Sequence, residues 1–260
     1  MADEVLLQET DGAILNLTIN RPDKLNALNA DVIEALSGAV EAAAGDDAVR
    51  VIVLRGAGDK AFVAGADISE FNNYRPADAA RMSSRGQRLF RRIETLGKPV
   101  IAVLDGFALG GGLELAMACT LRVASTNARL GQPEINLGLI PGYGGTQRLA
   151  RLAGRGVALD LCLTGDPVDA QRALDLGIVN RVHEPGELEG AVAKLAGKLA
   201  RSAPAAMRGI IDSVLHGGDC PLDAALEYET RQFALCFATD DMREGVEAFL
   251  NKRIPEFKGT

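Results

Sequence analysis

Two glutamates stand among residues that usually exclude carboxylates. Glu114 lies in the run LELAMAC (113–119), and Glu134, twenty residues later, follows Gly131-Gln132-Pro133 and precedes Ile135. Buried acidic side chains are rare unless they are paired or used. A carboxylate enclosed by apolar groups has a raised pKa, which suits proton transfer near neutrality. Beside the pair stand two glycine clusters, Gly110-Gly111-Gly112 and Gly142-Tyr143-Gly144-Gly145. Each glutamate also has a plainer reading: a helix-capping role for Glu114 and an exposed loop position for Glu134. Against the first, Leu113, Leu115, Ala116, Met117, Ala118 and Cys119 leave that turn no polar face. Two carboxylates working without metal or histidine suit few reactions. One is addition or removal of water across a double bond, and another is glycoside hydrolysis. The chain has no Trp and three Tyr, so it lacks the aromatic platforms that sugar sites commonly use.

The elements that must position these groups can be read outward from them. Val100–Leu104 is a short apolar run, as expected for a strand covered on both faces. It leads through Asp105-Gly106 to the first glycine cluster, which opens a helix with Gly111 and Gly112 in its first turn. N–H groups there lack intrahelical partners and favour negative charge, so they can form half of an oxyanion hole. The segment is neither a Walker loop nor a dinucleotide fingerprint. A second small-residue segment, Ala64-Gly65-Ala66 before Asp67, would let a ligand approach backbone N–H groups, although taken alone it reads better as a plain, tightly packed loop.

Further out, Val5 to Ile19 reads as a hairpin about Asp11-Gly12. Arg21-Pro22-Asp23-Lys24 is a loop. Asn29 or Asp31 caps a helix reaching Ala44, with Val32, Leu36, Val40 and Ala43 on one face. Val51–Leu54 is a buried strand, and Pro76 to Leu96 a helix with a solvated arginine face. After the central stretch come short helices at 155–163 and 170–176, a strand at 178–182, and helices at about 186–201, 204–216, 221–236 and 240–251. The rhythm of the first half hints at repeated ββα units. A composition shift near residue 200 divides a core (1–200) from a helical C-terminal region (201–260).

The chain of 260 residues has 47 % hydrophobic and 24 % charged residues, ordinary for a globular protein. A net charge of −7 argues against nucleic-acid binding. The scattered Cys119, Cys162, Cys220 and Cys236 fit reduced thiols in a cytoplasmic protein. His183 reads as a strand-end residue and His216 as a helix C-terminal one, which leaves histidine-based catalysis and metal ligation without support. The acidic N-terminus MADEVLLQET has no leader pattern, and no apolar run approaches a membrane span.

The runs NRPDKLNAL (20–28), FVAGADI (62–68), GFALGGGLELA (106–116), and GQPE (131–134) with GLIPGYGGTQRL (138–149) resemble the enoyl-CoA hydratase (crotonase) family. The resemblance covers essentially the whole chain and ends near FATDDMREG (237–245). It implies an α/β fold, a spiral of ββα units with a C-terminal helical trimerisation region, often doubled to a hexamer. The substrate it implies is an acyl-CoA thioester, with no cofactor, no metal, no nucleic acid and no membrane partner. Backbone N–H groups at Ala66 and Gly111 would form the oxyanion hole. Glutamates at both positions, 114 and 134, mark hydratases; isomerases, dehalogenases and decarboxylases often keep one or neither. Glu114 would then activate water and Glu134 protonate the α-carbon of a trans-2-enoyl-CoA, with Gly142 N–H anchoring the water or Glu134. Arg21, Lys24, Lys60, Lys252 and Arg253 are candidate partners for CoA phosphates. Ala64, Ala66, Asp67, Ile68, Ser69 and Phe233 are candidate CoA or adenine contacts, although Ser69 stands where some hydratases have Lys. Tyr143 would shape the acyl pocket. An isomerase, or a hydratase for aromatic or branched acyl-CoA, is the alternative enzyme. A non-catalytic scaffold or RNA-binding relative fits the acidic charge and the paired glutamates poorly.

Overall fold

The computed structural model describes residues 4–260, and the side chains of all of these except Glu70 and Asn73. Met1, Ala2 and Asp3, where the acidic N-terminal run begins, lie outside the described residues. The strands are β1 (Leu6–Asp11), β2 (Ile14–Ile19), β3 (Val51–Gly56), β4 (Ala61–Val63), β5 (Val100–Leu104), β6 (Phe107–Leu109), β7 (Leu121–Ser125), β8 (Arg129–Gly131), β9 (Val168–Asp169) and β10 (Arg181–His183). They form two sheets, a larger one in the order β1-β2-β3-β5-β7-β10 and a smaller one in the order β4-β6-β8-β9. Each of the pairs β3–β4, β5–β6 and β7–β8 gives one strand to each sheet. That is the repeated ββα unit which the sequence rhythm suggests.

The helices are α1 (Ala30–Gly45), α2 (Pro76–Glu94), α3 (Gly111–Ala118), α4 (Gly145–Ala153), α5 (Arg155–Thr164), α6 (Ala170–Asp175), α7 (Pro185–Ala200), α8 (Pro204–Gly217), α9 (Leu222–Cys236) and α10 (Asp240–Leu250). Asn29 caps α1, its side chain accepting from Val32 N–H at 3.0 Å. The parallel strands β3 and β5 read as unbroken apolar runs because both faces are covered. Ile52, Leu54, Ala102 and Leu104 face the main core with α1 and α2. Val51, Val53, Ile101 and Val103 face Leu188, Val192 and Leu195 of α7.

Several boundaries differ from expectation. Helix α2 stops at Glu94 because Gly97 turns the chain at φ +76°, though Leu96 is still buried. The strand expected at 178–182 starts only at Arg181, where pairing with β7 begins; Ile178 and Val179 are buried but irregular. The segment 21–24 contains a 3-10 turn, Pro22–Lys24. No helix among the described residues is long and apolar enough to cross a membrane.

Strands β4, β6 and β8 are parallel neighbours. The chain therefore leaves all three at the same end of the small sheet. Ala64–Ala66 follows β4, Gly110 follows β6, and Gln132–Glu134 follows β8. Three segments far apart in sequence are thus delivered to one place by strand direction alone.

Candidate active site

Helix α3 is buried along its whole length, which explains why its sequence shows no polar stripe. Glu114 sits on it at 1 % exposure. One carboxylate oxygen, Oε1, accepts from Tyr143 N–H at 2.7 Å and from Gly145 N–H at 2.6 Å. Oε2 meets no protein donor among the described residues. Burial pushes the Glu114 pKa up to about 7, reinforced by the nearby charge of Glu134; the two N–H donors and Arg148 pull the other way.

Glu134 is held differently. It lies on a 3-10 turn, Pro133–Leu137, and is only partly buried. Burial raises its pKa too, against a hydrogen bond from its own backbone N–H. Gln132 beside it is fully buried. With its amide nitrogen turned toward Glu134, it donates to both carboxylate oxygens at 3.1 Å. Gly110 makes room for this carboxylate: its φ is +51°, and a Cβ there would lie 2.7 Å from Glu134 Oε1.

The segment after β4 is pinned to the N-terminal loop. Leu28 N–H donates to Gly65 O at 2.9 Å, and Asp67 N–H to Leu28 O at 2.8 Å. Arg21 holds the same junction, donating to Ala27 O at 2.6 Å and Asp67 Oδ2 at 2.9 Å. A Cβ placed on Gly111 would lie 3.4 Å from Ala66 N, so the two backbone positions are close neighbours. Neither the Ala66 nor the Gly111 N–H meets an acceptor among the described residues.

A cavity of about 750 Å³ joins these pieces, lined by Ala66, Gly111, Glu114, Glu134, Gly142 and Tyr143, among others. Ala64 and Ile68 also line it. Lys24, Asp67, Ser69, Phe233 and Lys252 do not. Asp67 caps the next turn, accepting from Ser69 Oγ and N–H and from Arg21; the Ser69 hydroxyl, then Arg21, do most to hold its carboxyl below the usual range. Phe233 lies on α9 against Phe237, ring centroids 5.2 Å apart. Of the other candidate cations, Arg253 pairs with Glu244 at 2.5 Å. At Gly142 the hydrogen bonds run to the carbonyl rather than from the N–H: Ser83 Oγ donates at 2.5 Å and Gln87 Nε2 at 3.0 Å.

Sequence reasoning did not single out Gln132, Ser83, Gln87 or Arg148. Gln132 had a signal, an amide two residues before an unusual carboxylate. Ser83 and Gln87 had none, since polar residues bordering the buried face are ordinary in an amphipathic helix. Among the described residues no group of three or more His, Cys, Asp or Glu is placed to hold a metal ion.

The sequence model described as enoyl-CoA hydratase/isomerase matches residues 9–260. The chain belongs to the enoyl-CoA hydratase/isomerase family. It is 45 % identical to a crotonyl-CoA hydratase of Syntrophomonas wolfei over 257 residues, covering 99 % of each chain. It is 44 % identical to a short-chain-enoyl-CoA hydratase of Clostridium acetobutylicum over 248 residues, covering 95 % of each. A solved enoyl-CoA hydratase from Bacillus anthracis superposes with a TM-score of 0.95 at 35 % identity, over 99 % of this chain and all of that one. The crotonase-like α/β fold implied by the sequence motifs is the fold found.

Proposed function

We propose that this chain is an enoyl-CoA hydratase, a hydro-lyase that adds water reversibly to a trans-2-enoyl-CoA to give a 3-hydroxyacyl-CoA. The observation that carries the reading is the meeting of Glu114 and Glu134 in one cavity with the Ala66 and Gly111 backbone positions. The thioester carbonyl lies between the N–H groups of Ala66 and Gly111, where charge develops as water attacks. Glu114, anchored through Oε1, uses Oε2 to take a proton from the attacking water. The water oxygen bonds to the β-carbon, and the double-bond electrons move into the thioester as an enolate. Glu134 then gives its proton to the α-carbon. A proton returning from Glu114 to Glu134, directly or through the next water, resets the pair. No step needs a cofactor, because CoA is part of the substrate.

Burial raises both carboxylates, Glu114 to about 7 with the charge of Glu134 adding to the rise, which supports a pair that shares protons near neutral pH. Gly142 N–H, on the cavity wall, is a further anchor for water. The hydratase names of the similar proteins support the same reaction, and buried Tyr143 on the cavity wall supports a short acyl group. Lys24, Asp67, Ile68, Ser69, Phe233 and Lys252 belong to the CoA end of the reading, with Ala64 nearer the thioester.

The C-terminal region (201–260) is read as the oligomerisation surface of a trimer or a dimer of trimers. Its helices leave large apolar side chains in solvent, among them Val214 at 70 %, Leu250 at 74 % and Phe249 at 83 % exposure. Such a patch marks an interaction surface. Phe233 and Lys252, which do not line the cavity, would then contact CoA across a subunit boundary. The free cysteines accord with a cytoplasmic enzyme.

The test is hydration of crotonyl-CoA, followed by loss of the conjugated-thioester absorbance and identification of the product. Saturable formation of 3-hydroxybutyryl-CoA is expected. No hydration of any short- or medium-chain enoyl-CoA would overturn the reading.

A further inference from the structure

The Gly142–Tyr143 peptide is held on both sides. Its N–H donates to Glu114 Oε1 at 2.7 Å. Its carbonyl accepts from Ser83 Oγ at 2.5 Å and Gln87 Nε2 at 3.0 Å, and Gln87 also donates to Ser83 Oγ at 3.1 Å. Ser83 and Gln87 are one turn apart on α2 and both line the cavity. The same helix face fixes the Tyr143 ring. A Cβ on Gly86 would come within 2.3 Å of that ring, and Phe90 meets it edge-on at 5.5 Å. Arg148, paired with Glu94 at the end of α2, donates to Tyr143 O at 2.8 Å.

We propose that Ser83 and Gln87 are positioning residues for Glu114, acting through the Gly142–Tyr143 peptide whose carbonyl they hold and whose N–H Glu114 accepts. Two physical effects make this more than loop packing. Donors on a peptide carbonyl polarise its N–H, so the bond to Glu114 strengthens. The clamp also fixes the peptide plane, and with it the carboxylate angle that leaves Oε2 toward the cavity. Neither residue touches the reacting atoms. The ionisable groups facing Glu114 are Glu134 on the 3-10 turn, Arg148 of α4 with Glu94 of α2 behind it, and Cys162 on α5. The clamp is therefore the uncharged influence, reaching Glu114 from α2.

The inference rests on the hydratase reading for its kinetic consequence but not for its physical one. The test compares Ser83→Val with Ser83→Thr, which have the same shape and differ in the hydroxyl donor, and adds Gln87→Leu. Two readouts are taken: the pH profile of crotonyl-CoA hydration, and the titration of the Glu114 carboxyl carbon by 13C NMR, assigned with Glu114→Gln. Removing donors from the peptide weakens a bond to the charged carboxylate, so the midpoint moves up. Ser83→Val and Gln87→Leu each raise it by about half a pH unit, and the acid limb of kcat/KM follows. Their kcat falls about tenfold with KM nearly unchanged, because the loss is orientation and not binding. Ser83→Thr behaves as the wild type. A Glu114 midpoint identical in Ser83→Val and Ser83→Thr overturns the proposal, whatever the rates. Absence of hydration in the wild type would instead overturn the hydratase reading and leave the NMR comparison to decide the clamp.

Discussion

The two carboxylates face one cavity from opposite kinds of support. Glu114 is enclosed on a buried helix, and its donors are backbone N–H groups of the 142–145 loop. Glu134 rides a half-exposed turn whose following residues, Leu137, Leu139 and Ile140, face solvent, and its donor is the Gln132 side chain. Backbone donors on a clamped loop can be moved by mutation only indirectly. A side-chain donor can be removed outright. The rigid site suits a group that must hold water at a fixed angle. The looser one suits a group that must reach a carbon whose position varies with substrate. Both are raised in pKa by burial, yet only Glu114 is held tightly enough for a single orientation to matter.

The largest effects come from removing either acid. Glu134→Gln lowers kcat about 10²–10⁴-fold, the range for a lost general acid, and solvent deuterium entering the α-carbon falls in parallel. A product still labelled at the wild-type rate would move the α-proton role elsewhere. Next is stability, where the two sites should part company. Glu114 keeps its proton in the folded chain to about pH 7, against an ordinary value of 4.5. The folded state binds more protons in that window, so wild-type stability falls as pH rises through it. Glu114→Gln keeps an acceptor for the two N–H donors and removes this loss, so denaturant unfolding above pH 7 shows it more stable by roughly 3 kcal/mol. Equal pH dependence in the two proteins would contradict the burial argument. Gln132→Leu costs about tenfold in kcat, through Glu134 alone, since hydrogen bonds to charged groups are worth ~1.5–3 kcal/mol. Stopped activity at the Glu114 step, seen as a shifted acid limb, would break the proposed separation. The smallest effect is Tyr143→Ala. Tyr143 lines both the catalytic cavity and a neighbouring one of about 700 Å³ between α1 and α2. Opening that wall shifts kcat/KM toward longer acyl chains by about tenfold, the scale of one methylene in an apolar pocket; an unchanged chain-length profile would place the acyl end elsewhere.

The same contrast explains what the sequence made legible. Glu114 announces itself because a carboxylate in LELAMAC has no polar face to occupy, and the structure buries it. The hairpin about Asp11-Gly12, the Asn29 cap and the apolar strands β3 and β5 follow from local chemistry and are found as read. Strands β6, β7 and β8 were not read from the sequence. Two of them are three residues long, and β7 carries Arg122, so alternation has no room to show. Yet the parallel pairing of β4, β6 and β8 is what brings positions 66, 110 and 134 together. The roles of Ser83 and Gln87 were likewise invisible, since their partner is a backbone carbonyl more than fifty residues away.

The central claim is that Glu114 and Glu134 act as one unit on one water. Crotonyl-CoA hydration by the wild type, Glu114→Gln, Glu134→Gln and the double variant tests it most directly. Residues that work as a unit are strongly non-additive, so each single variant should lose about 10²–10⁴-fold and the double variant little more than the worse single. Losses that multiply in the double variant, or a single variant near wild-type activity, would contradict the account.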